Sequence, residues 1–381
     1  MISFRPSEDE LSFVDVAKDF AKDSIRPKAR ECEDNHQVDE KTVKELTDIG
    51  LTTLELPESW GGLELPLISQ VQVLQALAYG DLGTLQGIPG VGDAASLIRL
   101  LDDHQALGSY KERLTAENPT IALLDGSDPE MPWGSLTVEQ VGSEYILHGT
   151  SQPIRLAEFA DYIAVLATDQ QGEDVILWLD QSEQAWQVEE GDYRLGLLSS
   201  GIAKLIFDHV KVGNSHVLAS GKEATLLIKA VQSRVRVLQA AKQTGLMEAA
   251  LDYATEYTAE RKAFGQVIAK FQGVSFRIAK MAIETKIVNH LVWEAAVKID
   301  EVDEAMESYS LRALYRAHRS VRYVTDSAVQ LLGGHGFVQE FPVEKWMRDA
   351  QAQVALYGSE RDLLTTYGEQ LIAEKEEVAV T

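Results

Sequence analysis

Two changes of hydrophobic periodicity limit what this chain can fold into more than any single motif does. Leu11, Phe13, Val14, Val16, Ala17 and Phe20 recur at helical spacing behind Ser7-Glu8-Asp9-Glu10, which reads as a capping box. Pro27 is expected to interrupt this run near its end. A second helix is expected over Lys41–Leu51, a turn at Pro57-Glu58-Ser59-Trp60-Gly61-Gly62, and buried helices over Val71–Tyr79 and Ala94–Leu101. The pattern changes at Asn118-Pro119. From there to Leu218 the apolar runs are short and β-rich, as in Tyr162–Ala167, Val175–Leu179 and Leu205–Val210, with Gly, Asp and Gln turns between them. Such punctuation predicts an antiparallel barrel or sandwich of about 100 residues. From Glu223 the helical period returns through Leu226, Leu227, Ala230, Val231, Val235, Leu238 and Ala241. It continues over Gln272–Ile299, Glu304–Leu332 and Val343–Leu356, enough for a four-helix bundle. The expected fold is therefore α+β in three parts: a helical domain over 1–118, a β domain over 119–220 and a helical bundle over 221–381.

The chain has 381 residues, 45% of them hydrophobic, which suits a folded protein with a sizeable core. A net charge of −25 argues against nucleic acid or an anionic membrane as partner, because both attract basic surfaces. No apolar run approaches the length of a membrane span, and the first ten residues lack the apolar core of a signal peptide. Cys32 is the single cysteine, so no internal disulfide forms and a reducing cytoplasm fits. Its acidic neighbours Glu31, Glu33 and Asp34 would raise a thiol pKa, which predicts an inert side chain.

Four segments carry a family likeness. They are Leu56-Pro57-Glu58-Ser59-Trp60-Gly61-Gly62, Glu260-Arg261-Lys262-Ala263-Phe264-Gly265-Gln266 with Phe271-Gln272 after it, Gln330-Leu331-Leu332-Gly333-Gly334-His335-Gly336-Phe337, and Pro342–Ala350. They are similar to the PEEYGG turn, the ERxxFG segment, the QxxGGxGF turn and the following helix of the acyl-CoA dehydrogenase family. The resemblance spans the chain, strong after residue 240 and weak in the middle. It implies the helical, β and bundle order already expected, FAD as cofactor, an acyl-CoA thioester as substrate, and a homologous subunit as partner in a dimer or tetramer. An electron-transfer flavoprotein is the family's electron acceptor.

The resemblance also implies that the helical segments reach across a subunit interface to the neighbour's FAD. Arg261 offers a two-pronged fork for a diphosphate. Gly333 and Gly334 allow close backbone approach, and Gln330 can donate and accept toward the adenosine part. Phe264 and Gln272 complete the expected cofactor set. Taken singly, each position also has a purely structural reading, with Arg261 paired to a carboxylate and the glycines making only a turn.

The contacts to a subunit's own flavin ring are where this chain departs from the family. A TEP-then-GSD loop is replaced by Ala122-Leu123-Leu124-Asp125-Gly126-Ser127-Asp128-Pro129, which keeps only the GSD part. A WIT-type strand is replaced by Pro153-Ile154-Arg155, so that Pro takes the Trp place and Arg the Thr place. Pro removes both the aromatic face and a backbone donor.

The base departs too. α,β-Dehydrogenation needs a carboxylate to take the α-proton. Counted from the Pro342–Ala350 match, the family position falls on Tyr357, and the alternative position on an earlier helix falls on Val235, beside a matching Arg236 expected to bind substrate. Glu360 is a further candidate, although behind Ser359 it could simply complement a helix dipole. A phenol with its ordinary pKa near 10 is a poor base and a good hydrogen-bond donor. The histidines show no HExxH or i,i+4 pairing, so no metal site is expected, and His335 reads as a permissive surface position.

Three functions stay open on the sequence. One is a companion subunit of a heteromeric dehydrogenase, lacking its own base. Another is a homo-oligomeric acyl-CoA dehydrogenase with a displaced base. The third is a non-redox acyl-CoA-binding or hydratase-like protein on the same fold.

Overall fold

A computed structural model describes residues 8–127, 134–190 and 194–380. The first helices are α1 (Glu8–Phe20), α2 (Arg26–Asp34), α3 (Glu40–Asp48), α4 (Leu67–Gly80), α5 (Leu82–Gln86), α6 (Ala95–Leu100) and α7 (Gly108–Glu117). Pro27 does not end the first run. A π-helical turn, Ala21–Ile25, lies between α1 and α2 and places Pro27 in the first turn of α2, where a missing N–H is tolerated. Ser7 lies outside the described residues. Asp39 caps α3 by accepting from the Thr42 amide at 3.1 Å.

The strands are β1 (Ile121–Gly126), β2 (Thr137–Val141), β3 (Glu144–Thr150), β4 (Tyr162–Thr168), β5 (Asp174–Asp180), β6 (Gln187–Glu190), β7 (Ala203–Val212) and β8 (Val217–Ser220). They form two four-stranded sheets, ordered β1-β4-β5-β8 and β2-β3-β7-β6. Pairing is antiparallel except between β1 and β4, which run parallel because the chain visits the second sheet before returning.

β4 is buried along almost its whole length, and this explains why its sequence does not alternate. Tyr162, Ala164 and Leu166 face the helices in a cluster with Trp60, Tyr110 and Trp178. Ile163, Val165 and Ala167 face the other sheet, with Leu147, Leu205 and Phe207.

Beyond the strands come α8 (Gly221–Glu260), a two-stranded ribbon of β9 (Lys262–Ala263) and β10 (Gln266–Val267), α9 (Gln272–Asp300), α10 (Met306–Leu332), α11 (Val343–Leu356) and α12 (Glu360–Val380). Val237, Met247, Val288, Val292, Leu314, Val321 and Trp346 fill the bundle core. Ala224, Ile228 and Val231 at the start of α8 instead pack on the first sheet, which fixes the bundle against the β layers. No described helix is long and apolar enough to cross a membrane.

Candidate functional site

A cavity of about 190 Å³ opens where the first sheet meets α8, α10 and the α11–α12 junction. Its walls gather positions that are far apart in the chain. Asp125 and Ser127 come from the end of β1, Pro153 and Arg155 from the segment after β3, Val235 and Arg236 from α8, and Tyr357 and Gly358 from the end of α11. Asp128 and Pro129 lie outside the described residues.

Arg155 does not line this cavity as a free cation. It is buried, donating to the Gln86 carbonyl at 3.0 Å and to Asp93 Oδ1 at 3.1 Å. Asp93 sits on a short 3-10 turn, Gly92–Ala94, whose glycine has φ +51°. A Cβ on Gly92 would lie 2.9 Å from an Arg155 terminal nitrogen, so the turn is shaped to admit the guanidinium. Tyr357 donates to Asp93 Oδ2 at 2.7 Å, and Gln239 donates to Asp93 Oδ1 at 2.7 Å. Lys242 donates to Gln86 Oε1 at 3.0 Å and stands 3.9 Å from Asp93. Gln353 and Gln86 both bond Gln239 Oε1, at 3.0 and 2.7 Å, and close the network.

This is one buried anion facing two cations. Burial works against the Asp93 carboxylate, but the Arg155 and Lys242 charges outweigh it and hold its pKa below the ordinary value. Burial, with the Arg155 charge beside it, pushes the Lys242 ammonium down to about 7. Burial, and after it the Asp93 charge, holds the Tyr357 phenol well above 10. Tyr357 is therefore a hydrogen-bond donor and unsuited to act as a base.

The remaining carboxylates near the cavity are committed elsewhere. Asp125 Oδ1 accepts from Ser127 Oγ at 2.6 Å, and its Oδ2 accepts from Gln232 at 2.8 Å. Asp362 and Ser359 bond each other reciprocally at the start of α12, the Asp362 amide donating to Ser359 Oγ at 3.2 Å and the Ser359 hydroxyl to Asp362 Oδ2 at 2.6 Å. Glu360 pairs with Arg322, with Arg319 at 3.9 Å, and is not among the residues lining the cavity. Val235 is apolar and offers no proton acceptor. Arg236 reaches Gln232 Oε1 at 3.3 Å and stands 3.9 Å from Glu307, while its Nη1 is buried with no hydrogen-bond partner among the described residues.

The second group of expected residues lies on the surface at one end of the bundle. Arg261, Phe264, Gln272, Gln330, Gly333 and Gly334 are all exposed, Phe264 at 95%. Arg261 has no carboxylate partner among the described residues, so the ion-pair reading of it finds no support. Tyr257, one turn before Arg261 on α8, shares a 2.8 Å hydrogen bond with His335 and thereby joins the α8 end to the glycine turn. His335 is not a permissive position, because its ring also stacks on Phe341 at 4.7 Å. Gly333 needs its positive φ of +58°, and a Cβ on it or on Gly334 would meet no atom within 4 Å. The turn is open on its outer side.

Sequence reading missed Asp93, Gln86, Gln239, Lys242 and Gln353. One signal was present: Gln239, Lys242 and Gln243 interrupt the apolar stretch of α8 on its core-facing side, where polar groups need partners. Cys32 is buried, and burial, ahead of Asp39, raises its thiol pKa. The expected direction stands, but the main cause is burial.

Family models for the acyl-CoA dehydrogenase N-terminal domain and C-terminal domain match residues 7–103 and 227–372. An acyl-CoA dehydrogenase of Bacillus subtilis is 27% identical over 370 residues, covering 91% of this chain and 93% of the relative. Butyryl-CoA dehydrogenase from Megasphaera elsdenii superposes with a TM-score of 0.86 at 24% identity, over 97% of this chain and all of that one. A glutaryl-CoA dehydrogenase from Mycobacterium smegmatis, solved with FADH2, superposes at 0.82 with 20% identity, over 96% and 95%. At these identities the structural likenesses speak for the fold alone.

Proposed function

The chain belongs to the acyl-CoA dehydrogenase family, and from that premise we propose that it is a companion subunit in a heteromeric dehydrogenase, working beside a homologous chain that holds FAD and the base. The supporting observation is Arg155. The family likeness puts a small hydroxyl residue against the flavin ring at this position, whereas here a buried guanidinium is pinned between Asp93 and the Gln86 carbonyl. A flavin ring laid at this position would meet a buried, ion-paired guanidinium in place of a neutral hydroxyl. The cavity is also smaller than the roughly 300–1,000 Å³ usual for ligand pockets. The chain's own site does not suit a flavin.

Its surface suits someone else's. Arg261 is exposed with no carboxylate partner among the described residues, Gln330 lies on the last turn of α10 before the open Gly333–Gly334 turn, and Phe264 and Gln272 are exposed as well. We assign these residues to the diphosphate and adenosine of FAD bound mainly by the partner. FAD accepts the hydride in α,β-dehydrogenation of an acyl-CoA thioester. This chain's contribution is to hold the cofactor's outer part and to cover the partner's site. Arg236, which lines the cavity and whose buried Nη1 has no hydrogen-bond partner among the described residues, is the residue we assign to an acyl-CoA ligand. An electron-transfer flavoprotein is the expected acceptor for the assembly.

The test is the visible flavin spectrum of the chain purified alone and after co-production with a homologue carrying the family's Trp, Thr and Glu positions. A colourless chain that gains flavin and dehydrogenase activity only in the pair is expected. One flavin per chain in the protein purified alone, with turnover, would establish the homo-oligomeric reading instead. A colourless chain that pairs with no homologue would point to a binding protein.

A further inference from the structure

On the outer face of the second sheet, away from the cavity, β3 and β7 are out of step by one residue. Leu147 pairs with Val210 and Gly149 with Phe207, so His148 alone stands opposite both Asp208 and His209. This is a β-bulge, and it changes which way side chains face. Along β7 buried and less buried residues alternate from Ala203 to Phe207, but Asp208 and His209 are both exposed before Val210 is buried again. In a regular strand two adjacent residues cannot share a face. Here they do, together with His148.

The three side chains converge. Asp208 Oδ1 lies 2.9 Å from His209 Nδ1 and 3.9 Å from His148 Nδ1. The two imidazoles stack with centroids 4.0 Å apart and planes 30° apart. One ligand atom from each residue falls within 4.8 Å of the others. Donors around an ion with bonds of about 2.1 Å stand about 3.4 Å apart, which these exposed side chains reach by small rotamer changes. The bulge holds His209 at φ +51°, a conformation that Gly or Asn takes at lower cost than His. A histidine at this point is conformationally unfavourable, yet it supplies the second imidazole.

We propose that His148, Asp208 and His209 bind one divalent transition ion of the zinc, nickel and copper class. Two imidazoles and one carboxylate are the donor set these borderline ions prefer, with water completing the coordination. The strongly acidic chain raises the local concentration of any cation. No metal spacing is visible in the sequence, because Asp208-His209 becomes a chelating pair only once the bulge turns both outward. The ion would bridge β3 to β7 just before the chain runs on to Pro153 and Arg155.

The full-length chain, stripped with a chelator, is titrated with Zn²⁺ by calorimetry and with Co²⁺ by visible absorption. The expected result is one equivalent bound, with a rise in thermal midpoint on Zn²⁺ addition. His148→Ala and His209→Gly should each weaken binding at least tenfold and abolish that rise. His209→Gly also tests whether the loss is one of fold, since glycine adopts φ +51° freely and the metal-free variant should melt no lower than the parent. Absence of saturable one-equivalent binding, or equal binding by parent and both variants, would overturn the assignment.

Discussion

The Tyr357 hydroxyl donates a 2.7 Å hydrogen bond to Asp93 Oδ2, joining the end of α11 to a turn 264 residues earlier in the chain. Arg155 and Gln239 take Asp93 Oδ1 and Tyr357 faces Oδ2, so the Tyr357 position favours a donor and disfavours a second carboxylate in direct contact with the first. Tyr357→Phe should lower stability by about 1–2 kcal/mol, the loss of one bond to a buried carboxylate. Tyr357→Glu, which restores the family's residue type, should cost more, about 3–5 kcal/mol, by placing two buried carboxylates together. Urea unfolding of both variants checks the order. Equal losses would mean that Asp93 does not govern this site.

Lys345 on α11 is buried between two carboxylates. Its ammonium donates to both oxygens of Asp81, at 2.9 and 2.8 Å, and to Asp349 Oδ2 at 2.7 Å. Removing the cation strands two anions in the interior. Lys345→Met should cost about 3–5 kcal/mol, and adding Asp349→Asn should recover part of it. Chemical denaturation of the single and double variants measures the coupling.

Lys242 gives a pH signature of definite sign. Its folded pKa is pushed down to about 7 from an ordinary 10.5. Below about pH 7 it is protonated in both states and the burial penalty acts in full. Between the two values the folded chain releases a proton that the unfolded chain keeps, so stability rises with pH. Compared with Lys242→Met, the parent should gain up to about 1 kcal/mol per pH unit from pH 7 towards about 10. Unfolding free energies of the two proteins across that range test this. A flat difference would place the titration elsewhere.

Two neighbouring glycines should respond oppositely. A Cβ on Gly336 would lie 2.3 Å from the Val329 carbonyl oxygen, whereas one on Gly334 would meet nothing within 4 Å. Gly336→Ala should lower the melting temperature of the isolated chain by several degrees, consistent with a loss of about 1–3 kcal/mol. Gly334→Ala should leave the isolated chain unchanged and reduce flavin retention in the heteromeric pair. A Gly334→Ala pair with undiminished flavin would remove this turn from the cofactor assignment.

The order of helices and strands was legible because periodicity is written locally, residue by residue. The exposed ends of the bundle were legible for a related reason: Arg261, Gln330 and Gly333–Gly334 lie in two short continuous segments whose neighbours carry the family likeness. Pro27 misled because a π turn, unseen in the hydrophobic pattern, shifted the helix register before the proline was reached. β4 gave no alternation because both of its faces are buried.

The interior of the site was different. Pro153, Arg155, Val235 and Tyr357 each read as a departure from a family pattern around the flavin and the base, but the partners that hold them in one cavity were not legible. Asp93 and Lys242, which give Arg155 and Tyr357 their roles, carried no motif at all. Composition and periodicity, which depend only on near neighbours along the chain, determined the helix–strand–helix plan. Which buried charges neutralise one another, and whether Asp208 and His209 face the same way, was decided only by packing. Those outcomes depend on contacts between distant residues and on a one-residue slip between strands.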